Sequence, residues 1–264
     1  MLFPDVITVI ERTAPLHIAA SWDHSGLQVP AARREISSLA VCLDPVPASI
    51  ATALEHGADM ILSHHPLTMS PRFTDREDSY TAALRLLFKA DVPLYAAHTS
   101  LDANPRGPSG WLARALNMQD ACVLEPTGSI ENADGTTLEC GFGLLGTLPE
   151  PLTLEKALEL INPSAPRLIG VKPEDVHPLC VAICPGSGGS LAALAAQGGA
   201  ELFITGDIKY HDALLMPLPV LDVGHFSLEE HMMRLFAQQL QEELPDIAVS
   251  FIPSEDPFRL CQRS

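Results

Sequence analysis

His64 and His65 stand side by side at the end of an apolar run, residues 59–63, that reads as a buried strand. Strand ends are where α/β proteins place their chemistry. Two further segments repeat the layout: Pro93-Leu-Tyr-Ala-Ala-His98 is followed four residues later by Asp102, and Pro219-Val-Leu-Asp-Val-Gly-His225 four residues later by Glu229. Imidazoles and carboxylates without a cysteine among them form the donor set of a hard-to-borderline transition metal. Two or three imidazoles and two carboxylates suffice for a dinuclear centre, with Asp102 and Glu229 bridging cations about 3.5 to 4 Å apart.

Adjacent residues of an extended strand point to opposite faces, so His64 and His65 converge only if the chain bends, which Pro66 encourages. Asp102 also fits a turn, since Asp-Ala-Asn-Pro is turn chemistry. Glu229 is harder to assign to structure. Ser227 and Glu230 fit a capping box opening a helix over residues 228–243, whereas Glu229 falls on the stripe of Met233, Phe236, Ala237 and Leu240, which faces the core. A carboxylate aimed inward needs a strong partner, and a divalent cation is one. His225 follows Gly224, which permits close backbone approach. His98 has three readings: a ligand, a residue orienting Asp102, or a proton shuttle.

Two smaller signals stand beside these. Cys184-Pro-Gly-Ser-Gly-Gly-Ser190 lies between a strand and an Ala/Leu-rich helical stretch, so Ser187 and Gly188 are candidate phosphate contacts; a plain tight turn explains the glycines equally well. Asp207, in Thr205-Gly-Asp-Ile-Lys209, reads as an N-cap.

The chain of 264 residues suits two lobes better than one core, and 47% hydrophobic with 19% charged residues describes a globular protein. A formal charge of −17 repels nucleic-acid phosphates and anionic membranes, so neither is an expected partner; a small molecule is. The six cysteines show no C-x-x-C pair, and most sit in apolar stretches and read as core residues of a reducing compartment. The N-terminal Met-Leu-Phe-Pro-Asp-Val lacks a basic region before an apolar stretch, so a cytoplasmic location is expected.

Strand-length apolar runs alternate with amphipathic stretches, the pattern of parallel sheets covered by helices. Strands are expected near 38–43, 59–63, 93–97, 121–124, 140–147, 167–171, 178–183, 201–205, 219–223 and 247–252. The polar stretch 125–137 reads as a hinge. A first, discontinuous lobe is expected over 1–124 together with 219–264, and a second over 125–218. The loops 72–78 and 103–110 are candidates for substrate contact or closure.

Five ordered motifs, Ser21-Trp22-Asp23-His24-Ser25-Gly26-Leu27, Ser63-His64-His65-Pro66-Leu67, His98-Thr-Ser-Leu-Asp102, Thr205-Gly-Asp-Ile-Lys209 and Gly224-His225-Phe-Ser-Leu-Glu229, resemble the Nif-three-like family, whose members are also known as GTP cyclohydrolase 1 type 2 homologues. The resemblance spans nearly the whole chain. It implies a two-lobed, three-layer α/β fold, a dinuclear metal site in the inter-lobe cleft, and a homohexameric ring. The implied ligands are His64, His65, Asp102, His225 and Glu229, holding two divalent ions among Zn, Fe, Mn or Co. Trp22 and Asp23 join Ser187 and Gly188 as expected substrate contacts, and His98 is the expected catalytic residue. His24 stands where the family commonly has Asn, and Asp207 where Glu is frequent.

Two functions follow. One is a dinuclear-metal hydrolase acting on a small nucleotide-like or phosphorylated substrate, as GTP cyclohydrolase does. The other is a non-catalytic metal-binding ring that regulates or holds a partner.

Overall fold

The computed structural model describes residues 1–132 and 134–259. It is a mixed α/β protein with a 5-stranded and a 6-stranded sheet. Each sheet belongs to one of two compact units: Met1–Asn104 with Glu230–Ser254, and Pro105–Glu229 with the residues from Glu255.

In the first unit the strands are β1 (Gly26–Val29), β2 (Ser38–Cys42), β3 (Met60–Ser63), β4 (Leu94–Ala96) and, from the far end of the chain, Ala248–Phe251. Their order is β1, β4, β3, β2, then Ala248–Phe251; all pairs are parallel except β1 with β4. Parallel strands buried on both faces read as continuous apolar runs, and Leu39, Ala40, Val41, Ile61, Leu62 and Leu94 are each fully buried. One face carries Ala40, Cys42, Ile61 and Leu94 against Ile50 and Ala53 of α1 (Pro47–Glu55) and Ala83 and Leu87 of α2 (Ser79–Ala90). Burying one such aliphatic side chain is worth about 1.5–3 kcal/mol. Asp78 starts α2 through a capping box with Thr81, and Asp91 ends it in the left-handed conformation. Across the other face, Tyr95 Oη donates to Glu11 of the N-terminal helix Phe3–Thr13.

The second unit carries β5 (Gln119–Glu131), β6 (Thr137–Thr147), β7 (Arg167–Ile169), β8 (Cys180–Ile183), β9 (Leu202–Thr205) and β10 (Val220–Asp222) in the order β5-β6-β8-β9-β10-β7. Only β8–β9 and β9–β10 are parallel. Phe203, Ala182 and Val220 form its core with Leu191, Ala192 and Ala195.

The stretch expected as a hinge is the tip of a long hairpin. Residues 125–131 pair with 137–142, and Asn132 N–H donates to the Thr136 carbonyl. Its polar side chains suit a ribbon wetted on both faces, which is why the sequence resembles a loop there. Pairing also moves the boundaries of the units: β5 begins at Gln119 and β10 lies beside β9, so residues 105–124 and 219–229 group with the second sheet, not with 1–104 as expected.

Candidate metal centre

In the first unit three neighbouring parallel strands deliver chemistry at their C-terminal ends. After β2 comes Asp44, after β3 His64 and His65, and after β4 His98. The chain bends where convergence requires it: the His64 and His65 N–H groups both donate to the Leu43 carbonyl, and Ser63 Oγ donates to the His65 carbonyl. The rings therefore gather, with centroids 4.9 Å apart for His64 and His65, 5.2 Å for His64 and His98, and 5.6 Å for His65 and His98. Asp102 closes the short helix Thr99–Asp102 that starts beside His98, and its Oδ1 lies 3.6 Å from His64 Nε2.

Each of these rings is held at Nδ1. His64 Nδ1 is 2.8 Å from the Ala97 carbonyl, His65 Nδ1 is 2.7 Å from Asp44 Oδ1, and His98 Nδ1 is 2.6 Å from Asp23 Oδ1. Carbonyls and carboxylates only accept, so Nδ1 carries a proton, and in the neutral ring Nε2 then keeps its lone pair, the arrangement of a metal-ligating histidine.

In the second unit β10 is followed, two residues past Asp222, by Gly224, whose φ of +75° permits the turn into His225 and the helix Phe226–Glu243. His225 Nδ1 lies 2.7 Å from Asp207 Oδ2 and its Nε2 3.1 Å from Glu229 Oε2. Glu229 is 3% exposed, as its place on the Met233–Phe236–Leu240 stripe demands. The helix begins at Phe226, so Ser227 is inside its first turn, and Glu230 does not cap: it accepts the Ser254 N–H instead.

The expected substrate contacts divide. Trp22 is exposed, with its ring 6.2 Å from that of His98. Asp23 faces inward: its oxygens accept from the His24 N–H, Ser25 Oγ, His98 Nδ1, and both the amide and hydroxyl of Thr99. Burial raises the Asp23 pKa, but those bonds and the neighbouring imidazole outweigh it and hold the carboxyl far below the usual carboxylate range. Ser187 Oγ donates to Asp207 Oδ2, and Gly188 N–H to Thr205 Oγ1. Glycines of this loop and of the turn after β9 serve close packing: a Cβ on Gly186 would collide with Glu229 Oε1, and one on Gly206 with the Gly224 carbonyl. A cavity of about 520 Å³ opens beside Ser187 and Asp207, lined also by Lys209 and Met216.

Asp44 is the site residue that sequence reasoning passed over. The signal was there, an acidic residue directly after a buried strand, but one strand away from any histidine in the sequence. Asp207, read as a cap, takes a left-handed conformation at φ +58° and buttresses His225.

The donors fit divalent transition metal by type: neutral imidazole Nε2 atoms and carboxylates, without thiolate among them. Among the described residues Cys42, Cys122, Cys140, Cys180 and Cys184 are free thiols; Cys261 lies outside them. No helix among the described residues is long and apolar enough to cross a membrane.

Residues 1–257 match the family model described as Duf34/NIF3 (NGG1p interacting factor 3). A relative from Clostridium perfringens named "GTP cyclohydrolase 1 type 2 homolog" is 32% identical, with 98% of this chain and 99% of the relative covered. One of the same name from Streptomyces coelicolor is 30% identical over 90% of this chain and 85% of its own. The crystal structure of a Bacillus cereus protein related to NIF3 superposes with a TM-score of 0.84 at 23% identity, covering 99% of each chain, a likeness of fold.

Proposed function

Because the chain belongs to the Duf34/NIF3 family, and because four of its histidines each meet an acceptor at Nδ1, the orientation in which metal-ligating histidines are held, we propose that it is a metal-dependent hydrolase of small nucleotide-like or phosphorylated molecules. The observation that carries this reading is the set of Nδ1 contacts, from Ala97, Asp44, Asp23 and Asp207 to His64, His65, His98 and His225. Structural histidines do not need such uniform orientation. His64, His65, Asp102, His225 and Glu229 would hold two divalent ions, chosen among Zn, Fe, Mn and Co by cellular supply. Bound ions supply Lewis acidity, which makes water a usable nucleophile near neutral pH and polarises its target.

The chain's own groups do the rest. Asp23 fixes His98 so that Nε2 takes and returns a proton beside the ligand cluster, and Asp102 and Glu229 contribute negative charge that retains the ions. The name carried by the relatives makes GTP the first substrate to test, with water attacking the imidazole carbon of the purine. A homohexameric ring belongs to the same reading, on the family resemblance.

The test is purified protein supplied with Zn, Mn or Fe and assayed against GTP and a panel of nucleotides and phosphoesters, alongside Asp102→Asn. Metal-dependent turnover that falls at least about a hundredfold in the variant supports the reading. Turnover at the full rate in Asp102→Asn rules it out.

A further inference from the structure

We propose that Trp22 is the platform on which the planar heteroaromatic ring of the substrate stacks, placing that ring beside His98; this rests on the hydrolase reading and names the substrate class that it takes. A single exposed tryptophan is unremarkable on a protein surface. Trp22 differs in how it is held. The residue is 62% exposed, yet the backbone on both sides is pinned: Ala20 N–H donates to Thr99 Oγ1 at 3.1 Å, Asp23 N–H donates to the Ala20 carbonyl at 3.0 Å, and the Asp23 carboxylate is buried in donors. The backbone that carries this exposed ring is thus fixed beside Thr99 and His98.

Its position is the second observation. The indole meets the His98 ring at 73° with centroids 6.2 Å apart, next to the cluster of His64, His65 and His98. A ring stacked on the indole would lie close to the His98 imidazole. The third observation is electrostatic. With a formal charge of −17 the chain as a whole does not attract a polyanion, so an uncharged part of the ligand has reason to add to recognition. Base stacking on an aromatic side chain supplies such recognition without depending on charge.

The chain has two tryptophans, and the other, Trp111, is buried with Nε1 donating to the Leu228 carbonyl. Emission changes on ligand addition therefore report Trp22. Zinc-loaded full-length protein is titrated with guanosine, GTP and tripolyphosphate, with excitation at the red edge of the indole band. Saturable quenching by guanosine and GTP, but not by tripolyphosphate alone, is expected. Trp22→Phe keeps guanosine affinity by equilibrium dialysis and loses the quench. Trp22→Ala weakens guanosine by about tenfold or more while retaining its zinc.

Unchanged guanosine affinity in zinc-replete Trp22→Ala overturns the proposal, and so does a variant whose only change is a smaller assembly mass, which makes Trp22 a protein contact. Quenching without any turnover keeps the platform and removes the hydrolase. Turnover that persists at wild-type kcat/KM in Trp22→Ala does the reverse.

Discussion

His98 Nδ1 and Asp23 Oδ1 stand 2.6 Å apart, and the rest of the Asp23 carboxylate is surrounded by donors from Ser25, His24 and Thr99. One buried anion thus fixes the loop that carries Trp22 and the tautomer of the imidazole beside the ligand cluster. Losing such a partner typically lowers metal affinity or activity about 10–100-fold. Asp23→Asn should show a loss of that size in kcat with zinc content retained.

The same residue sets an acid limit. Its pKa is depressed in the folded protein, so its contribution is fully present above the unfolded value of about 3.9 and disappears as pH falls through the lower folded value. Urea midpoints measured between about pH 5 and pH 2.5 should fall more steeply for the wild type than for Asp23→Asn.

Gly186 and Glu229 make a sharper steric test. Gly186 has a φ of +63°, and a methyl group there would occupy the space of the Glu229 carboxylate. Gly199 has a φ of +88° with nothing within 4 Å of its Cβ position. Alanine at either site incurs backbone strain of about 1 kcal/mol. Gly186→Ala alone should also lose bound metal, read as ions per chain after dialysis, while Gly199→Ala keeps its full complement.

Asp207 should matter through His225. Replacing it by Asn removes the anion at Nδ1 and should weaken metal binding by about tenfold or more, checked by chelator competition. Ser187→Ala, which removes only the hydroxyl donating to Asp207, should cost less.

Much of this was legible because the strands β2, β3, β4, β8, β9 and β10 are short apolar runs whose ends coincide with the chemistry. Glu229 could be placed because a helical stripe identifies its face. Within the hairpin, residues 121–124 and 140–147 were legible as strands, whereas the outer arms, 125–131 and 137–139, were not, since strands wetted on both faces lack an apolar signature. Nor was β1, whose four residues include only two aliphatic positions, Leu27 and Val29. Asp44, Asp207 and Asp23 were hidden or misread for another reason: a carboxylate that supports a histidine is recognisable only after tertiary contacts bring the pair together, and local sequence equally suits a cap or a turn.

Glu230 offers a pH test in the opposite direction. Burial first, then the field of Asp44, raise its pKa despite the Ser254 N–H and Arg234. A raised carboxyl pKa means that stability is greatest below the unfolded value of about 4.3 and declines as pH rises through the folded value. Glu230→Gln keeps the acceptor for Ser254 and cannot ionise. Its melting temperature at pH 8 should exceed that of the wild type, with a smaller gap at pH 5.5.

Metal content of untagged protein, purified without chelator and measured by inductively coupled plasma mass spectrometry beside His64→Ala, bears on the centre most directly. Close to two divalent ions per chain in the wild type, and clearly fewer in His64→Ala at unchanged circular dichroism, is the expected result. A wild-type protein that retains no ion even after incubation with zinc, manganese or iron would contradict the metal centre outright.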